Sequence, residues 1–83
     1  MSRQIYVGNL PQSITEIGLE APFREYGNVT SVRLITDRGT GQNLGFGFVE
    51  MQTAAEARRA VQELHGIECD GRRLTVQVAL PKT

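Results

Sequence analysis

The sequence contains no tryptophan and only one cysteine and three prolines, and it lacks any long apolar run. Its apolar stretches are a few residues each, whereas a membrane-spanning helix needs about 20 consecutive apolar residues. Residues 1–4 lead directly into the strand-like segment of residues 5–10, with no apolar region of the kind that a secretory signal requires. We therefore expect a chain that does not cross a membrane and whose fold begins almost at once.

The single cysteine, Cys69, cannot form an intramolecular disulfide, and one histidine, His65, cannot complete a structural zinc site with it. A reducing compartment is the default for such a chain, so we expect a cytoplasmic protein. No metal or other cofactor is expected. The 83 residues predict one domain, residues 1–83, because a chain of this length is only long enough to form one small hydrophobic core.

The charge of the chain is balanced, with nine lysines and arginines against nine aspartates and glutamates. A net charge of zero gives no long-range field that would steer a polyanion to the surface, which argues weakly against nucleic acid. Eight of the nine basic residues are arginines, however, and Lys82 is the ninth. Arginine is suited to bidentate phosphate contacts and to stacking, so the composition leaves nucleic-acid binding open.

Apolar periodicity predicts six elements in the order β-α-β-β-α-β. The strands are expected at residues 4–8, 29–35, 45–51 and 74–78, and the helices at 16–26 and from the capping box Thr53-Ala-Ala-Glu56 to Gly66. Thr15 is the expected N-cap of the first helix and Gly27 its C-cap. Its apolar positions are Ile17, Ala21 and Phe23, and Pro22 inside it predicts a kinked or frayed first turn.

This order predicts an α+β, ferredoxin-like fold with two helices on one face of a four-stranded antiparallel sheet. Strand residues alternate between the two faces, so the apolar half of each strand should face the helices. The other half should face water: Tyr6, Arg33, Ile35, Phe46, Phe48, Glu50, Thr75 and Gln77. Three of these residues are aromatic, which solvent exposure alone does not explain.

Two segments resemble the hexamer and octamer motifs of the RNA recognition motif family: residues 5–10, IYVGNL, and residues 44–51, LGFGFVEM. Three further landmarks follow in the family's order, at residues 26–27, 37–41 and 71–74. The resemblance spans the whole chain. In its length and in its opening residues, the chain is similar to compact single-motif RNA-binding proteins of bacteria, including cyanobacteria. It favours a complete small protein over an excised domain.

The resemblance implies a non-catalytic binder of single-stranded RNA, with weaker binding of single-stranded DNA. Tyr6 and Phe48 would stack on two successive bases, and Phe46 would lie against the sugars between them. Flanking contacts are expected from Arg33, Arg38, Gln77 and the tail segment 79–82, which includes Lys82. Glu50 would accept from a base amino group.

The octamer departs from the family pattern at both ends, with Leu44 in place of a basic residue and Met51 in place of an aromatic one. Met51 should point inward and alter only packing. Leu44 removes a phosphate contact, and each such contact contributes about 0.7 to the salt dependence of single-strand binding. We therefore expect weak, salt-tolerant binding dominated by stacking.

Three alternatives compete with this interpretation. Burial of the rings is disfavoured, because it would turn Gly45, Gly47 and Val49 towards water together. A protein-binding module or a homodimer could use the same face, although the Arg-x-Phe of peptide-binding relatives is missing from residues 67–72. An enzyme of the acylphosphatase kind would need a converging arginine and asparagine, which the sequence does not predict. We expect a monomer that self-associates weakly through the outward apolar residues.

Overall fold

The computed structural model describes residues 2–79, which form two layers: a four-stranded antiparallel sheet and a helical layer on one of its faces. The elements are β1 (Gln4–Gly8), α1 (Glu16–Glu20), a 3₁₀ helix (Ala21–Tyr26), β2 (Val29–Thr36), β3 (Asn43–Met51), α2 (Ala54–Leu64), β4 (Glu68–Cys69), β5 (Arg72–Arg73) and β6 (Thr75–Val78). No helix within residues 2–79 has the length and apolar character needed to span a membrane.

The strand order in the main sheet is β2-β3-β1-β6, so β1 and β3 occupy the centre. Both strands that carry the candidate aromatic residues are therefore paired on each side. The predicted ferredoxin-like architecture and element order are confirmed. The structure adds a two-stranded ribbon, β4–β5, which lies outside the predicted strands.

The core lies between the sheet and the helices, and the buried side chains come from the predicted half of each alternation. Ile5, Val7 and Val49 are fully buried, and Val76 is 1% exposed. Phe23 is the largest buried side chain among residues 2–79, at 1% exposure, which confirms its predicted place in the core. Full burial stabilises an apolar side chain of this kind by about 1.5–3 kcal/mol.

The first helical segment begins as predicted, since the Thr15 hydroxyl accepts a hydrogen bond from the Gly18 amide at 3.1 Å. It changes from α to 3₁₀ geometry at Ala21, directly before Pro22. Proline has no amide hydrogen for the carbonyl of Gly18, so the α-helical hydrogen-bond ladder stops there. The break therefore lies in the middle of the segment and not in its first turn.

The apolar positions expected on this helix are only partly correct. Ile17 is 80% exposed and Ala21 is exposed, whereas Leu19 is 1% exposed and packs in the core together with Phe23. Leu19 and Phe23 are four residues apart and share one face of a helix. The buried face is thus rotated away from the predicted one, and Ile17 is an apolar side chain in solvent.

The second helix begins with the predicted capping box: the Thr53 hydroxyl accepts from the Glu56 amide, and the Glu56 carboxylate accepts from the Thr53 amide, both at 3.1 Å. The second oxygen of Glu56 accepts from the amide of Asn28 at 3.3 Å, which ties the helix start to the turn before β2. At the other end, His65 is the C-cap residue, and its Nδ1 lies 3.1 Å from the amide nitrogen of Val76 in β6.

Gly47 allows the sheet and the first helix to approach each other closely. A Cβ at this position would lie 2.6 Å from the backbone oxygen of Arg33 and 3.0 Å from Leu19 Cδ2. The carbonyl belongs to the neighbouring strand and cannot move without shifting β2. The octamer therefore needs glycine here for packing, on the face away from the aromatic rings.

We expect Gly47→Ala to lower the free energy of unfolding by about 1–3 kcal/mol, the usual cost of overpacking a close contact. Urea unfolding followed by far-UV circular dichroism measures this change. Gly18→Ala is the matched control, because a Cβ there would meet nothing closer than 3.4 Å in a helical position. Alanine in a helix should stabilise by roughly 0.5–1 kcal/mol. Equal stability of the two variants would contradict the packing role of Gly47.

Candidate nucleic-acid interface

One row of side chains crosses all four strands on the sheet face away from the helices. The strand register pairs Arg33 with Phe48, Phe48 with Tyr6, and Tyr6 with Gln77. Paired residues of neighbouring antiparallel strands point to the same face. The structure thus brings four of the predicted site residues into one line.

The three aromatic rings form one cluster on this face. Ring centroids are 6.0 Å apart for Tyr6 and Phe46, 5.9 Å for Tyr6 and Phe48, and 6.4 Å for Phe46 and Phe48. All three residues are half-buried and lie outside the hydrophobic core, which contains their strand neighbours Ile5, Val7 and Val49. The rings are tilted or edge-on to each other, so their faces are not stacked on one another and remain available to planar groups.

Tyr6 leans along its own strand over Gly8. A Cβ on Gly8 would lie 2.5 Å from the Tyr6 hydroxyl oxygen and 2.9 Å from two ring carbons. Gly8 is paired with Phe46 across the sheet. The absence of a side chain at Gly8 therefore leaves the space in which the Tyr6 ring lies beside Phe46.

Arg33 adds a cation to the cluster. Its guanidinium carbon lies 5.8 Å from the centroid of the Phe48 ring, within the range of a cation–π interaction. The residue is exposed, so its remaining N–H groups face solvent. Arg33 can stack and contact a phosphate from the same position.

Glu50 lies further along β3 on the same face and is held on both sides. Its Oε1 accepts a hydrogen bond from the Thr30 hydroxyl at 3.0 Å, and its Oε2 lies 3.6 Å from Nη2 of Arg3. The nearby guanidinium partly offsets the negative charge that would repel a phosphate. The carboxylate is thus compatible with a binding face for an anionic chain.

The remaining predicted contacts are spread around the edge of the face. Gln77 is exposed on β6, in the row described above, and Arg38 is exposed in the loop of residues 37–42. That loop is closed by the Asp37 amide on the Gln42 carbonyl at 2.7 Å and by the Gly41 amide on the Asp37 carbonyl at 2.8 Å. Lys82 lies outside the described residues.

Of the two departures from the octamer pattern, Met51 points inward as expected. Met51 is fully buried and belongs to the core. Leu44 is 53% exposed at the start of β3, where the family pattern has a basic side chain. An exposed leucine at this position offers apolar surface and no charge.

Arg3 is a neighbour of the site that the sequence analysis did not identify. It precedes β1, and its contacts with Glu50 and with the Gln52 carbonyl join segments 47 and 49 residues apart. No local pattern predicts such a pair, since each side chain alone is typical of a solvated strand end. Only the antiparallel pairing of β1 with β3 brings them together.

The chemistry of this face is that of non-covalent recognition. Within residues 2–79, no group of three or more His, Cys, Asp or Glu side chains could hold a metal ion. The face offers aromatic ring faces, guanidinium donors, an amide and a carboxylate. These groups suit planar, hydrogen-bonding and anionic parts of a ligand.

Comparison with known proteins agrees with this geometry. The family model of the RNA recognition motif matches residues 5–75. A putative RNA-binding protein of Nostoc sp., RbpE, is 53% identical over 78 residues, which cover 94% of this chain and 79% of the relative. The crystal structure of RNA Binding Protein PG1 has a TM-score of 0.92 at 50% identity and covers 99% of both chains. A chain from the Sxl-lethal protein/RNA complex has a TM-score of 0.93 at 32% identity, covering 100% of this chain and 50% of that chain.

Proposed function

The chain belongs to the RNA recognition motif family, and from this premise we propose that it is a non-catalytic binder of single-stranded RNA. The RNA would lie across the sheet face that carries Tyr6, Phe46 and Phe48. The observation that carries the proposal is the cluster of these three rings, with centroids 5.9–6.4 Å apart, on the face opposite the core. A domain of this size gains little from three half-exposed aromatic side chains unless they meet a ligand.

In this proposal Tyr6 and Phe48 each stack on one base, and Phe46 packs against the sugars between the two bases. Stacking of a base on an aromatic ring contributes about 1–3 kcal/mol. Two stacked bases would then give about 2–6 kcal/mol, equivalent to a Kd between tens of millimolar and tens of micromolar. Tighter binding requires contacts from the edge of the face.

Those edge contacts are assigned to Arg33, Arg38, Gln77, Glu50 and Lys82. Arg33 is supported by its position over Phe48, and Gln77 by its pairing with Tyr6. Arg38 is supported by its exposure in the loop after β2, from where it would approach phosphates. We further propose that residues 1–83 form one domain that acts as a cytoplasmic monomer, that single-stranded DNA binds more weakly, and that the source is bacterial.

Chemical-shift mapping with a randomised four-base RNA pool tests the proposed function. The expected result is that backbone amides of β1 and β3 shift on titration, while those of α2 do not. Light scattering with and without RNA tests the monomer, because a dimer that buries the same rings would dissociate when RNA is added. Shifts confined to the helical face, or no shifts at all, would contradict the proposal.

Replacing Leu44 by lysine should strengthen binding and make it more sensitive to salt. The added cation would restore one phosphate contact, which steepens the slope of log K against log salt by about 0.7. Fluorescence anisotropy with a labelled eight-base RNA, repeated at several salt concentrations, measures the slope. Leu44→Gln is the control for the loss of the apolar side chain, and an equal slope for the two variants would rule out a phosphate beside this position.

A further inference from the structure

Glu50 and Arg3 form a polar edge next to the aromatic cluster. Their side chains are 36% and 50% exposed, so both reach solvent on or beside the sheet face. Glu50 is two residues from Phe48 along β3, on the same face, which corresponds to about 7 Å along an extended strand. A base stacked on the Phe48 ring could therefore direct one edge towards the Glu50 carboxylate.

The carboxylate is fixed in orientation but keeps most of its hydrogen-bonding capacity. The single O–H of Thr30 lies 3.0 Å from Oε1 and 3.2 Å from the Glu50 carbonyl oxygen, and this shared contact anchors the side chain on one side. On the other side, Arg3 Nη2 is 3.6 Å from Oε2, close enough for an ion pair but too long for a good hydrogen bond. Each carboxylate oxygen accepts about two hydrogen bonds, so both oxygens can still accept.

The side chain of Arg3 is also held in place by a contact within the protein. Its Nη1 donates to the Gln52 carbonyl at 3.4 Å, and a guanidinium carries five N–H donors in a fixed plane. Donors on Nη2 therefore remain available beside Oε2. Taken in order across the site, Arg3 Nη2, Glu50 Oε2 and Glu50 Oε1 present one donor followed by two acceptors.

We propose that Glu50 and Arg3 together recognise the Watson–Crick edge of a guanine stacked on Phe48. This inference rests on the proposed function, because it requires a base on that ring. Guanine presents the complementary order of one acceptor and two donors: O6, N1–H and the N2 amino group. Arg3 donates to O6, and the two carboxylate oxygens accept from N1–H and from the amino group.

The other three bases match this edge less well. Adenine offers N1 as an acceptor and its amino group as a donor, so it satisfies Arg3 and one carboxylate oxygen. Cytosine does the same with N3 and its amino group, and its second acceptor, O2, then lies on the side of N3 away from the carboxylate. Uracil offers O4 and N3–H, but its O2 would face the second carboxylate oxygen as a second acceptor. An unpaired acceptor against a carboxylate is unfavourable, so uracil should be the weakest of the four at this position.

The test compares three eight-base RNAs by fluorescence anisotropy: alternating uridine–guanosine, the same sequence with inosine in place of guanosine, and oligouridine. Inosine lacks only the N2 amino group, so it removes one donor without changing the stacking surface much. The parent protein is expected to bind the guanosine sequence about tenfold more tightly than the inosine sequence, as for one hydrogen bond to a charged group.

Glu50→Gln is the decisive variant, because glutamine keeps the shape but offers one acceptor instead of two. The guanosine-to-inosine ratio should fall to about twofold or less. Glu63→Gln is the matched control, since Glu63 is exposed on α2 and the substitution changes the net charge equally. The guanosine-to-inosine affinity ratio of Glu63→Gln should equal that of the parent. Thermal unfolding of Glu50→Gln checks that the variant is folded.

The outcomes separate this inference from the proposed function. The assignment of guanine to Glu50 and Arg3 is overturned if the parent binds the guanosine and inosine RNAs with nearly equal affinity. It is also overturned if Glu50→Gln has the same guanosine-to-inosine affinity ratio as the parent. A uniform loss of affinity for all three RNAs with an unchanged ratio overturns it as well. If the parent binds oligouridine through its rings without preferring guanosine, only this inference fails. If the parent binds none of the three RNAs, the proposed function fails too.

Discussion

Replacing Tyr6 and Phe48 together by alanine is expected to lower RNA affinity by about 30- to 900-fold, equivalent to about 2–4 kcal/mol. Both rings are on the central strands and are paired with each other across β1 and β3. Their loss would remove both base-stacking surfaces and leave only Phe46 and the edge contacts. Anisotropy titration of a labelled single-stranded RNA at one fixed salt concentration measures the change.

Two controls separate stacking from loss of apolar surface. The double variant Tyr6→Phe with Phe48→Tyr keeps both rings and should bind within about threefold of the parent, since the ring faces are retained. Ile17→Ala removes an apolar side chain that is 80% exposed on the first helix, and it should leave RNA binding unchanged. If the double alanine variant is folded and binds within twofold of the parent, the rings do not bind RNA.

The second large effect is expected in stability, for Phe23→Ala. Phe23 is 1% exposed and is the largest fully buried side chain among the described residues. Truncation of a buried phenylalanine to alanine usually costs about 3–5 kcal/mol, because transfer free energy is lost and a cavity remains. Domains of this size have a total stability of roughly 4–12 kcal/mol, so the variant would lose a large part of it.

Urea unfolding and thermal unfolding measure this loss. A cost of 3 kcal/mol corresponds to a fall in Tm of at least about 12 °C in a domain of under 100 residues. Phe23→Leu should cost clearly less, since it leaves a smaller cavity, and Ile17→Ala should change stability by no more than about 0.5 kcal/mol. A Phe23→Ala variant as stable as Ile17→Ala would mean that the first helical segment does not anchor the core.

Strand alternation was the most informative signal in the sequence. The period of two in residues 4–8 and 45–51 correctly separated Ile5, Val7 and Val49, which are buried, from the aromatic residues, which are not. A shift of one residue would reverse every side chain of a strand, so the apolar pattern determines the face strongly. The architecture and the position of the three rings followed from this rule and from the motif order.

The first helical segment shows where local patterns were insufficient. Ile17 and Ala21 fit helical spacing as well as Leu19 and Phe23 do, and nothing local decides which pair faces the sheet. The close approach of Leu19 to Gly47 depends on the position of the helix over β2 and β3. The contact of Arg3 with Glu50 was missed for a similar reason, because it depends on strand register across 47 residues of chain.

Strands β1 and β3 contribute side chains both to the core and to the aromatic cluster, and this limits how the sequence of the protein can change. Successive residues of each strand belong alternately to the packed interior and to the ring cluster, so a backbone shift that suits a new interior would also displace the rings. Single side chains at the perimeter can be exchanged without such a backbone shift. New nucleotide preferences would therefore arise most readily by exchanging side chains such as Arg3 and Gln77, while the aromatic cluster at the centre stays the same.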